Sequence, residues 1–175
     1  MDGPVSAQLH PGRDVFFTVT LDDRRSSALG DYVASLRAAF RKTRSERIDA
    51  IVVLPDHLHT ILTLPPRDSD FSGRWRRIKG HFTRSIAAAG VPVSRDHRGE
   101  YALWQKRFWE HTIRSDRFRT LRRLHSFNPV KYRLATLPAA WPFSSLHRYV
   151  RAGVLSRDWG GDGRANDGNF GERGD

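Results

Sequence analysis

Residues 48–66, IDAIVVLPDHLHTILTLPP, hold the side chains best suited to chemistry. Pro55-Asp56 separates two apolar runs. Proline presets φ and aspartate can hydrogen-bond its own backbone, so the pair reads as a turn between two strands. The second run opens with His57-Leu58-His59. Side chains alternate along a strand, which places both imidazoles on one face. Two neighbouring imidazoles on a rigid strand can share a divalent metal, and a metal there would polarise a phosphate as a Lewis acid. It would need a third ligand from elsewhere in the chain. His-x-His is a weak signal by itself, and a plain polar strand face is the other reading.

The rest of the chain must position that pair. Its 175 residues fit one domain with a sizeable core. A hydrophobic share of 38% with 11% aromatics argues against general disorder. Lys plus Arg number 30 against 19 Asp plus Glu, a net +11, which makes nucleic acid the first partner to consider. An anionic membrane surface fits less well, because the basic helices carry aromatics at core-facing positions. The absence of cysteine excludes disulfides and Cys-based zinc sites. The opening MDGPVSAQLHPGRD has no apolar signal core, and the longest apolar run is too short to span a bilayer. The chain therefore reads as a soluble cytoplasmic protein.

Residues 1–14 have no apolar period and read as a flexible lead. Residues 15–21, VFFTVTL, are β-branched and aromatic, a strand. Leu29, Val33, Leu36 and Phe40 then recur at helical spacing, with Arg37, Arg41 and Lys42 on the other face. The strands 48–54 and 57–64 follow. After Pro65-Pro66 and Asp68-Ser69-Asp70, a second helix buries Phe71, Trp75, Ile78, Phe82 and Ile86. Arg74, Arg76, Arg77, Lys79 and Arg84 decorate its remainder. With no acid among them they favour contact with a polyanion over a merely solvated face.

Residues 90–100 form a loop, and 103–114 read as a strand carrying Trp104, Phe108, Trp109, Lys106 and Arg107. Ser115-Asp116 caps a third helix that turns Phe118 and Leu121 inward, and Asn128-Pro129 breaks or kinks it. A loop (135–140), a docking segment Trp141-Pro142-Phe143 and a short helix (147–154) lead to a Gly- and Asp-rich tail, 160–175, expected to be disordered. The order strand, helix, strand, strand, helix, strand, helix is a split βαβ pattern. It predicts an α+β fold of ferredoxin-like type over 15–159, an antiparallel sheet with helices on one face. Trp75 belongs to the core by its periodicity, whereas Trp104 and Trp109 could stack on unpaired bases. His111, beside Glu110, suits a structural hydrogen bond.

The stretches VFFTVTLDDRRS, IVVLPDHLHTILTLP, DFSGRWRRIKGHFT, LWQKRFWEHTIR, FNPVK and WPFSSLHRYV together resemble the REP-associated tyrosine transposases, a branch of the IS200-like single-tyrosine transposases. VVLPDHLH looks like their His-hydrophobic-His motif. The resemblance runs in family order from about Val15 to Gly161. It implies a protein, monomeric rather than dimeric, that binds palindromic hairpins in single-stranded DNA and cuts beside them. It implies Mg²⁺ or Mn²⁺ on His57 and His59, with Asn128 as third ligand. The basic residues Arg74, Arg76, Arg77, Lys79, Arg84, Lys106, Arg107 and Lys131 are the candidate contacts for that DNA. The family nucleophile, a tyrosine one helical turn before that asparagine, makes a 5′-phosphotyrosine and frees a 3′-hydroxyl. Here that position is Leu124, which cannot attack a phosphate. Tyr132, four residues beyond Asn128, is one substitute, beside Ser126, His125 and a metal-activated water; otherwise the chain is a catalytically silent hairpin-binding descendant.

Overall fold

Apolar side chains on both faces of the central strands decide the architecture. The computed structural model describes residues 13–43, 47–65, 67–113 and 129–159. Strand β1 (Arg13–Thr20) is buried from Val15 onward, and β3 (His57–Leu64) is buried at all positions but Thr63. Such strands must be covered on both sides. With β2 (Arg47–Val53) and β4 (Trp109–Thr112) they form a sheet ordered β2-β3-β1-β4, in which every neighbouring pair is antiparallel. This is the ferredoxin-like α+β arrangement expected from the element order.

Helices α1 (Ala28–Asp31), α2 (Val33–Thr43) and α3 (Phe71–Ala88) cover one face. Their Leu29, Leu36, Phe40, Trp75, Ile78, Phe82 and Ile86 meet Val15, Phe17, Val19, Leu58, Leu62 and Leu64 of the sheet. Asp70 starts α3 by accepting a hydrogen bond from the Gly73 amide at 2.9 Å. The opposite face is not open, as a one-sided packing would leave it. Phe16, Ala50, Val52, Leu54 and Ile61 form a second cluster there, closed in part by Trp109, Tyr132 and Trp141.

Three elements differ from expectation. The lead ends sooner, since Arg13 and Asp14 already belong to β1. The first helix is divided at Tyr32, whose φ of −112° and ψ of 34° are not helical. The strand expected over 103–114 is only β4. Trp104 forms an isolated bridge to Leu21, and the Gln105 amide donates to Thr20 at 3.0 Å. The α3 side chains hold this stretch. Lys79 Nζ donates to the Gln105 carbonyl at 2.9 Å, and Trp104 Nε1 donates to Thr83 Oγ1 at 3.0 Å. The helix expected from Ser115, with Leu124 and Asn128, lies outside the described residues, as do residues 160–175.

The docking segment covers the free edge of β2. The Val53 amide donates to Phe143 at 2.9 Å, the Ser145 amide to Ile51 at 2.9 Å, and Trp141 Nε1 to Val53 at 2.9 Å. Tyr149, in α4 (Leu146–Arg151), donates its hydroxyl to the Asp49 carbonyl at 2.7 Å. A long apolar edge is thereby kept from pairing with another chain. No helix among the described residues is long and apolar enough to cross a membrane.

Trp75 is 1% exposed and packs edge-on against Phe17 and Phe40. Trp75→Ala should cost about 3–5 kcal/mol, seen as a lower urea midpoint with an unchanged slope. An unmoved midpoint would show that α3 is not seated through this residue.

Candidate functional site

Alternation along β3 puts His57 and His59 on the face opposite α2 and α3. Their ring centroids are 5.0 Å apart and nearly perpendicular. Both side chains are buried, and each Nδ1 is held. His57 Nδ1 lies 2.7 Å from Asp56 Oδ1, and the other Asp56 oxygen accepts from Arg24 Nε at 2.8 Å. An ionised carboxylate only accepts, so His57 Nδ1 carries a proton and donates it to Asp56, which leaves Nε2 as the ring atom turned to the site. His59 Nδ1 lies 2.9 Å from the hydroxyl of Thr18, the residue opposite it in the β1–β3 register.

Neither Nε2 has a hydrogen-bond partner among the described residues, although both are buried. A buried polar atom left unpaired costs about 1–3 kcal/mol. Two such atoms from rings whose Nδ1 atoms are fixed form a donor set that suits a divalent metal. Burial pushes the His59 pKa well below 6.5, with the charges of His57, Lys131 and Arg24 adding to the effect. The ring is therefore neutral near pH 7, the form that binds metal. Burial alone would raise the Asp56 pKa; the hydrogen bond from His57, then the charges of His57 and Arg24, outweigh it and hold the carboxyl below 3.8. No third His, Cys, Asp or Glu joins the pair among the described residues. The expected third ligand, Asn128, and the nucleophile position, Leu124, lie outside them.

Tyr132 comes to the same place. Its ring centroid is 5.0 Å from that of His57 at a 75° angle, and Lys131 Nζ sits 5.7 Å over the Tyr132 ring. The fold thus collects His57, His59, Lys131 and Tyr132 on one side of the sheet. Thr18, Asp56 and Arg24 complete the group without having been anticipated in that role. The adjacency of Asp56 to His57 was a usable signal; Thr18 is 41 residues from His59, and only strand register joins them.

The basic residues divide differently. Arg76, Arg77 and Arg84 are exposed on α3, beyond the helix layer and across the sheet from the histidines. Lys106 and Arg107 are exposed just before β4. Arg74 does not belong to this surface. It is 6% exposed, and its guanidinium pairs with Asp68 at 2.5 Å, because it lies on the inward side of the first turn of α3. Lys79 is also partly withdrawn: burial lowers its pKa to about 8, and its ammonium holds the Gln105 carbonyl.

No protein-family model matches the chain. A REP-associated tyrosine transposase of Escherichia coli K12 is 41% identical over 162 residues, covering 90% of each chain. A Haemophilus influenzae protein assigned to the same group is 36% identical over 154 residues, covering 84% of this chain and 87% of its own. A solved REP-associated tyrosine transposase, bound to a REP hairpin, superposes with a TM-score of 0.77 at 40% identity, covering 99% of this chain and 98% of that one.

The buried, neutral His59 has a consequence for stability in metal-free protein. Its folded pKa lies below 6.5, the value of the free side chain. Between the two the unfolded chain binds more protons, so stability is full above pH 6.5 and falls as pH drops below it. Thermal melts should show Tm declining over that range, and His59→Gln should flatten the decline. Parallel curves for the two proteins would contradict a buried neutral ring.

Proposed function

The chain belongs to the REP-associated tyrosine transposase family, and on that premise we propose that it binds hairpin-forming single-stranded DNA in the cytoplasm and nicks and rejoins it at the His57/His59 face. The observation that carries this reading is the pair of buried Nε2 atoms without hydrogen-bond partners among the described residues. A merely polar strand face would pair them or leave them in water. The net charge of +11 supplies the attraction for a polyanion, and the related solved protein is bound to a REP hairpin.

His57 and His59 would hold Mg²⁺ or Mn²⁺, with Asn128 as the third ligand. When bound, the ion supplies Lewis-acid polarisation of the phosphate to be cut. The chain's own groups do the rest. Arg24 holds Asp56, Asp56 and Thr18 aim the two rings, and Lys131 brings positive charge to the rim. Arg76, Arg77, Arg84, Lys106 and Arg107 are exposed and take DNA phosphates.

Tyr132 is the nucleophile in this reading, because its ring rests against His57 while the family position holds Leu124. Its phenol oxygen would attack the phosphorus and lose its proton, the P–O3′ bond would break, and that proton would end on the departing 3′ oxygen. The product is a 5′-phosphotyrosine and a free 3′-hydroxyl, and the covalent ester conserves the bond for rejoining. Leu124 itself favours a second reading, a descendant that grips hairpins without cutting them.

A labelled hairpin oligonucleotide incubated with protein and Mn²⁺, then run on a denaturing gel, separates these readings. A slow covalent adduct that Tyr132→Phe abolishes supports the nicking enzyme. Intact DNA under tight binding supports the descendant, and Leu124→Tyr should then restore the adduct. Failure to prefer the hairpin over an unstructured DNA strand of equal length would overturn both.

The metal reading has its own test. Thr18→Val removes the hydroxyl that holds His59 Nδ1 and should weaken Mn²⁺ binding about 10–100-fold, measured by calorimetry on DNA-free protein. Unchanged affinity would mean that Thr18 does not orient the ring.

A further inference from the structure

Lys79 is half-buried on α3, and its amine is held by neutral partners. The Nζ donates to the Gln105 carbonyl at 2.9 Å and lies 5.6 Å over the Trp104 ring. Trp104 is fixed in turn. It meets Phe82 edge-on at 5.5 Å, and its Nε1 donates to Thr83 Oγ1 at 3.0 Å. The Thr83 hydroxyl donates back to the Lys79 carbonyl at 2.8 Å, which closes the cluster. Lys79 takes part in no salt bridge among the described residues. Its charged or titratable neighbours along α3 are Arg76, Arg77, His81 and Arg84, and those beside Gln105 are Lys106 and Arg107. None of them is an acid.

An ammonium withdrawn from water without an anion is disfavoured against the free amine. Burial accordingly lowers the Lys79 pKa to about 8. The free amine is the nucleophilic form, which is why desolvated lysines serve as nucleophiles. At pH 8 about half of Lys79 is free amine, against roughly 0.3% of a lysine with the ordinary pKa. Nucleophilicity falls with basicity, with a Brønsted slope of about 0.5 for thiols. The same slope leaves Lys79 a net advantage of about tenfold.

We propose that Lys79 is a site of acylation by small acyl phosphates, and that this modification loosens residues 103–107 from α3. The amine lone pair attacks the acyl carbon, and the bond from that carbon to the phosphate oxygen breaks. Phosphate leaves with the electron pair, and the proton lost by the nitrogen ends on it. The surrounding cations suit this donor, since they attract the phosphate anion and stabilise it as it departs. Acylation removes the positive charge over Trp104 and sets an acyl group where the ammonium met the Gln105 carbonyl. The loosened stretch carries the exposed Lys106 and Arg107 and leads into β4. No step of this chemistry involves DNA, so it stands apart from the hairpin reading.

The test incubates native protein with acetyl phosphate at pH 8 and maps partial acetylation by peptide mass spectrometry. Lys79 should react about tenfold faster than the exposed Lys42 and Lys106. From pH 8 to pH 9 its rate should rise only about twofold, whereas an ordinary lysine gains close to tenfold. Trp104→Leu, which lets water reach the amine, should remove the advantage, with circular dichroism to check its fold. If that variant unfolds, the pH profile of the native protein still decides. The Gln105 amide donates to the Thr20 carbonyl, and its hydrogen exchange, followed by NMR, should quicken in acetylated native protein. The same treatment of Lys79→Arg should leave that exchange unchanged. Labelling of Lys79 no faster than that of Lys42, or an unchanged Gln105 amide in protein acetylated at Lys79, would overturn the proposal.

Discussion

The site depends on the pairing of β1 with β3. Their register sets Thr18 opposite His59, and the hydroxyl then holds the one ring nitrogen that must not wander. A slip by one residue would turn every side chain of β3 to the other face. His57 and His59 would then point into the helix-side core, and Leu58 and Leu62 out of it. Both strands are buried on both faces, so such a slip would strand apolar and polar groups alike on the wrong sides. The same apolar burial that stabilises the sheet thereby aims the imidazoles.

The two faces divide the labour. On the helix side, Trp75, Phe17 and Phe40 interlock with a continuous apolar cluster and carry no titrating group. On the other side, apolar residues alternate with Thr18, His57 and His59 in a thinner cluster that Tyr132 and Trp141 help to close. Burial there withdraws water from the imidazoles and keeps His59 neutral. The chain Arg24–Asp56–His57 then compensates locally for burying polar groups: the guanidinium pairs with the carboxylate, and the carboxylate accepts a hydrogen bond from the ring N–H. Charge on the exposed side of α3 is separated from all this by the thickness of the sheet and helix layer. It can attract DNA without disturbing the protonation of the histidines, since exposed charges are screened over about 10 Å at moderate salt.

Much of this was legible in the residues alone. The alternation of β1, the Pro55-Asp56 turn and the helical stripe of α3 each follow from short-range physics: dihedral preference and side-chain period. His57 and His59 share a face because neighbours two apart on a strand always do. What the sequence could not decide involves contacts distant along the chain. Thr18 reaches His59, Tyr132 reaches His57, and residues 141–149 cover the edge of β2, all through tertiary packing that no local pattern encodes. Arg74 shows the same limit. Its neighbours Arg76 and Arg77 mark a charged face, yet one position on a helix turns by about 100° from the next, and Asp68 draws its guanidinium inward. Composition and period therefore determined the fold class and the paired histidines, whereas only the folded sheet decided which groups hold them, because orientation of a buried ring is set by whichever atom lies opposite it.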